Sequence, residues 1–121
     1  MLIEGLYKIV STENTETGIS TKILLNKDHA IFKGHFPGNP VMPGVCMIQI
    51  IKELTEENTG KNLFLSVSSN IKFMAIINPE KNPDLQLVID ITEENEEIKV
   101  KNTTSYEETV ALKLSATFKI I

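Results

Sequence analysis

A single segment of helical periodicity, set among stretches that alternate with period two, limits this chain to a β-sheet carrying one helix. From Pro43 to about Asn58, at about 100° per residue, Cys46, Met47, Ile50, Ile51 and Leu54 fall on one broad side. Gln49, Lys52, Glu53 and Glu56 cluster on the other. Pro43 suits the first helical position, where a missing amide hydrogen is no loss, and Gly60 is a stop signal beyond the end. The first two turns should be buried against a sheet and the last turns exposed.

Strand signals lie on both sides of the helix. Ile19, Thr21, Ile23 and Leu25 alternate with Ser20, Lys22 and Leu24, mostly the period-two pattern of a half-buried strand, and residues 2–10 form a less regular strand, with Ser11 to Gly18 as the connection. After the helix, Leu63, Leu65, Val67, Ser69, Ile71, Phe73 and Ala75 share one face. Leu85, Leu87, Ile89 and Ile91 repeat the pattern, as do Val110, Leu112, Leu114, Ala116, Phe118 and Ile120. A short strand over Ile98 to Thr103 follows a hairpin turn at Glu93 to Glu97, and Asn78 to Pro83 is a second break with two prolines. Consecutive strands with short links predict an antiparallel meander in an α+β domain.

The chain has 121 residues, enough for one core without disulfide or metal staples, so residues 1–121 are read as a single domain. Acidic residues number 16 against 12 basic ones, and every base is a lysine. Nucleic acid is a poor partner for such a chain, because phosphate and base readout lean on arginine and a basic surface. Cys46 stands alone, so neither an intramolecular disulfide nor a cysteine metal cluster is expected. The start, MLIEGLYKIV, has no basic n-region and no long apolar run, which predicts neither signal peptide nor membrane span and favours the cytoplasm.

The stretch that carries chemistry is IFKGHFPGNPVMPGV, residues 31–45. Pro37, Pro40 and Pro43 restrict the backbone around short turns, while Gly38 and Gly44 permit close approach. The Gly44 amide, at the helix start, points outward along the positive end of the helix dipole and suits a carbonyl oxygen gaining negative charge. His35 is able to take or deliver a proton beside that oxygen. The pair suits proton abstraction next to a carbonyl; the plainer reading is a proline-rich turn with a packing histidine.

Residues 34–45, GHFPGNPVMPGV, resemble the active-site motif of the hot-dog-fold 3-hydroxyacyl-acyl-carrier-protein dehydratases of fatty acid synthesis. Ile71-Lys72-Phe73 looks like the same family's basic-aromatic pair on the strand after the helix. The resemblance implies an antiparallel sheet wrapped around one central helix. It also implies a homodimer, open to higher assembly, whose two sites each combine a loop histidine with an acidic helix residue of the partner. His35 would be that histidine and Gly44 the amide that polarises the thioester carbonyl. Phe36, Pro37, Gly38, Pro43, Val45, Lys72 and Phe73 would line the path of pantetheine and acyl chain. No metal and no cofactor is implied beyond the phosphopantetheine that carries the substrate, on acyl carrier protein or coenzyme A.

One position departs from the pattern. The family's helix carboxylate falls fourteen residues after the histidine, where this chain has Gln49. An amide holds a hydroxyl or water by hydrogen bonds but has no proton to give at neutral pH. Glu53, about 6 Å further along the helix, is a candidate to act through a water. The leading expectation is a dehydratase forming a trans-2-enoyl thioester. The alternatives are a thioester hydrolase using Gln49 to hold water, and a binding or partner subunit without its own acid. Cys46 is read as a small buried hydrophobe rather than a thiolate nucleophile. His29, beside Asp28, would orient the loop, and Lys33 and Lys72 would meet an acidic carrier or a phosphate, unless they only solvate the surface.

Overall fold

The structure, a computed structural model, describes residues 5–32 and 41–121. Its elements are β1 (Tyr7–Asn14), β2 (Gly18–Leu25), a 3-10 turn (Ala30–Phe32), α1 (Gly44–Thr59), β3 (Leu63–Phe73), β4 (Asp84–Glu94), β5 (Glu97–Tyr106) and β6 (Thr109–Ile120). The six strands form one sheet in the order β1-β2-β4-β5-β6-β3, every neighbouring pair antiparallel. This is the α+β hot-dog arrangement that the resemblance implies.

The helix buries the face its periodicity predicts: Cys46, Met47, Ile50, Ile51 and Leu54 are all under 4% exposed. Each such side chain contributes about 1.5–3 kcal/mol through removal from water. They meet the inward residues of the sheet, among them Ile19, Ile23, Leu87, Ile89, Val100, Leu114 and Phe118. Thr55 joins the buried face because its hydroxyl donates to the Ile51 carbonyl at 2.7 Å, so it brings no unpaired polar group inside. Gly60, at φ 71°, ends the helix by donating its amide to the Glu56 carbonyl.

Five expectations change. Pro43 is the N-cap, not the first helical residue. Its ψ of 146° is extended, and its carbonyl accepts the amides of both Cys46 and Met47. β1 starts at Tyr7 and runs to Asn14, through much of the stretch read as a connection. As an edge strand exposed from Lys8 to Asn14, it carries no apolar period to announce it. The even alternation read along β3 is interrupted by register shifts between Leu65 and Val67 and between Ser68 and Asn70, and the strand ends at Phe73. Only β4 to β6 form a meander: β3 pairs with β6 at the far edge, and β2 pairs with β4. The turn of the β4–β5 hairpin is also tighter than expected, with Asn95 and Glu96 at φ 53° and 63°.

Gly18 lies where β2 meets β4, and a Cβ there would overlap the Ile89 carbonyl. That neighbour is backbone and cannot swing aside. Gly18→Ala is therefore expected to destabilise the fold by about 3 kcal/mol, read as a lower urea midpoint with an unchanged slope.

Candidate active site

His35, Phe36, Pro37 and Gly38, with Lys33, lie outside the described residues. The remaining predicted residues fall in two places on the chain.

The first is the helix start. The first turn closes on the Pro43 carbonyl, which leaves the amides of Gly44 and Val45 without an acceptor inside the helix, and the N-cap residue Pro43 offers no side-chain hydrogen bond to them. Met42 donates its amide to the Ile77 carbonyl at 2.8 Å, and Met74 donates to Ala111 at 2.8 Å. The first bond holds the segment entering α1 against the segment leaving β3, and the second ties that segment to β6. Phe73 consequently packs over Gly44: a Cβ on Gly44 would sit 3.0 Å from the Phe73 ring. Gly44 is thus the residue that lets an aromatic ring lie against the helix start. Around them opens a mainly apolar cavity of about 490 Å³, lined by Val41 to Gly44 and Phe73 to Ile77. Of the predicted substrate-binding residues, Pro43 and Phe73 line it. Val45 instead points out, 73% exposed, and Lys72 is exposed on β3 without lining the cavity.

The second place lies on the helix face about 7.5 Å further along and about 140° around. There the Gln49 side-chain amide donates from Nε2 to Glu53 Oε2 at 2.9 Å, and Tyr7 donates its hydroxyl to Glu53 Oε1, also at 2.9 Å. Glu53 is half-buried rather than exposed, and its two oxygens accept from Gln49 and Tyr7. A single chain does not bring Gly44 and Gln49 to one point. Sequence reasoning missed Tyr7, which is 46 residues from Glu53 and reaches it from the first position of β1.

Burial pushes the Tyr7 hydroxyl well above its ordinary value near 10.0, and the Glu53 hydrogen bond, the Glu53 charge and the Glu57 charge push the same way. Tyr7 therefore stays a donor. The unfolded chain loses this proton near pH 10 while the folded chain keeps it, so stability is complete below about pH 10 and declines as pH rises beyond. Tyr7→Phe is expected to flatten that alkaline decline in denaturant titrations.

Cys46 is 3% exposed, and burial pushes its thiol up from 9.0, against the helix dipole; it is a packing residue. His29 Nδ1 accepts the Ile31 amide at 3.0 Å and so braces the turn that leads towards the histidine loop. Among the described residues no cluster of three or more His, Cys, Asp and Glu is arranged to hold a metal ion, and no helix is long and apolar enough to cross a membrane.

Residues 11–113 match the model of the ApeI-like family, described as ApeI dehydratase. The chain is 32% identical over 111 residues to the 3-hydroxyacyl-[acyl-carrier-protein] dehydratase FabZ of Lactobacillus helveticus, covering 85% of this chain and 73% of that protein. It is 34% identical over 84 residues to the FabZ of Pediococcus pentosaceus, covering 64% of this chain and 50% of that one. Among solved structures, the dehydratase heterocomplex ApeI:P from Xenorhabdus doucetiae superposes with a TM-score of 0.75 at 19% identity, covering 93% of this chain and 96% of the other.

Proposed function

The chain belongs to the ApeI-like dehydratase family, and on that footing we propose that it removes water from 3-hydroxyacyl thioesters to give trans-2-enoyl thioesters. The observation that carries the reading is the helix start with its outward Gly44 amide, set under Phe73 in an apolar cavity. A thioester carbonyl entering there accepts the Gly44 N–H, which stabilises the oxygen as it gains enolate charge.

His35 takes the proton from C2. The electron pair left behind forms the C2–C3 double bond as the C3–O bond breaks. Gln49 has no proton for the departing hydroxyl. The imidazolium of His35 returns the proton it took, and the hydroxyl leaves as water. One base thus serves both steps, and Gln49 holds the hydroxyl in place.

Pro43 and Phe73, with Phe36, Pro37 and Gly38 of the loop, flank the pantetheine and acyl chain, which arrive on acyl carrier protein or coenzyme A. Lys72 serves as a docking cation for the acidic carrier. The assembly is a homodimer, in which Gln49 of one protomer faces His35 of the other. Support comes from the exposed apolar residues Val45, Phe73, Met74 and Ile76, between 46% and 73% exposed, on the face that a partner would cover. The cytoplasm is the compartment where such substrates meet the chain.

The test is mass spectrometry of a 3-hydroxyacyl carrier-protein thioester incubated with the purified protein. Loss of one water from the acyl group supports the reading. Free acid would mark a hydrolase, and unaltered substrate would leave the chain a binding or partner subunit.

A further inference from the structure

One wall of the cavity beside Gly44 is an irregular segment, Met74 to Ile77, that belongs to no strand or helix. Its two ends are tied by backbone bonds. Met74 and Ala75 both donate to the Ala111 carbonyl, at 2.8 and 3.2 Å, and the Ile77 carbonyl accepts the Met42 amide at 2.8 Å. Between those ends the chain passes from Ile76, 64% exposed, to Ile77, fully buried. A side chain holds it there: Tyr106, the last residue of β5, donates its hydroxyl to the Ile76 carbonyl at 2.9 Å. That carbonyl and the Ile77 amide share one peptide plane, so the bond fixes how the wall turns between the two isoleucines. The Tyr106 ring packs against the core and does not itself line the cavity.

The described residues that line the cavity bring no polar side chain to it. Pantetheine carries amides that need polar partners, whereas the tail of an acyl group needs none. The cavity therefore suits the hydrocarbon beyond the reacting carbons. We propose that Tyr106 is a positioning residue that holds this wall through the Ile76 carbonyl and so sets the preference for longer over shorter acyl chains. This rests on the reading that the cavity beside Gly44 receives the acyl thioester. A short acyl group ends close to its reacting carbons and makes little use of the wall. A long one lies along it, and its added methylenes gain contact only where the wall stands still. Without the Tyr106 hydroxyl the peptide between Ile76 and Ile77 turns more freely, and the longer chain loses those contacts first.

The test is Tyr106→Phe, which removes one oxygen and keeps the ring, compared with the natural protein on 3-hydroxybutyryl and 3-hydroxyoctanoyl carrier-protein thioesters. The octanoyl-to-butyryl ratio of kcat/KM is expected to fall about fivefold, the contribution of one neutral hydrogen bond, with the loss lying in the KM of the longer substrate. A ratio that stays the same or rises overturns the proposal, because a merely structural role lowers both substrates alike. Calorimetric titration with butyryl and octanoyl carrier protein, which have no 3-hydroxyl to lose, reads the same preference without turnover. The carrier is common to both, so the natural protein should bind the octanoyl form at least about tenfold more tightly. Equal affinities overturn the proposal even if Tyr106→Phe folds poorly. A natural protein that prefers the octanoyl form yet makes no enoyl product sinks the dehydratase reading, and the effect of Tyr106→Phe on the titration then decides the role of Tyr106 by itself.

Discussion

Exchanging the two helix residues, Gln49→Glu together with Glu53→Gln, accelerates formation of the enoyl thioester by about 10²- to 10⁴-fold, the ordinary worth of a general acid. The exchange keeps the hydrogen bond from Tyr7 with Tyr7 still the donor, and keeps the bond between positions 49 and 53 with its roles reversed. The amide introduced at position 53 would accept the Tyr7 hydroxyl on its carbonyl oxygen and donate its N–H to the new carboxyl, at the two 2.9 Å contacts that now exist. The far oxygen of that carboxyl then carries a proton to the departing hydroxyl. Gln49→Glu alone should gain less, because it sets two carboxylates against each other at hydrogen-bond distance. They would share one proton between themselves and titrate as a pair. Enoyl absorbance under single-turnover conditions measures both variants. Equal rates for the natural chain and the exchanged one would remove Gln49 from the reaction.

The second large effect is a loss. His35→Ala is expected to lower the dehydration rate by about 10³-fold or more, because the proposed mechanism gives one imidazole both proton transfers. The pH dependence distinguishes this from a two-group mechanism. In the natural chain kcat/KM should rise with pH through the ordinary histidine range, about 6.5, and then level off. The exchanged variant should instead fall again at higher pH as its new carboxyl loses its proton. A bell-shaped profile in the natural chain would contradict the one-base scheme and point to a second titrating group.

Much of this architecture could be read from residue order because burial leaves a period. The helix stripe from Cys46 to Leu54 and the inward rows of β2, β4 and β6 are buried where alternation places them. The packing of Phe73 against Gly44 had no signal in the residue order. What escaped notice has a common physical cause, that pairing partners far apart in sequence decide it. β1 is an edge strand with water on both faces, so Ser11 to Asn14 look like a loop. The interruptions in β3 arise from its register against β6, and no local pattern encodes them. Glu53 reads as a surface glutamate until Tyr7, at the start of β1, donates to it from 46 residues away.

The position of β1 at the sheet edge ties the Glu53 carboxylate to a weakly protected strand. Edge strands with exposed backbone bonds open locally at lower cost than the core, and β1 is exposed over seven of its eight residues. Each fraying event that lifts Tyr7 away removes one hydrogen bond from Glu53, while the helix and the inner strands remain folded. Warming should therefore detach the Tyr7 ring before the domain melts. Tyrosine fluorescence is expected to change below the calorimetric Tm, a local transition set by one strand rather than by the whole protein.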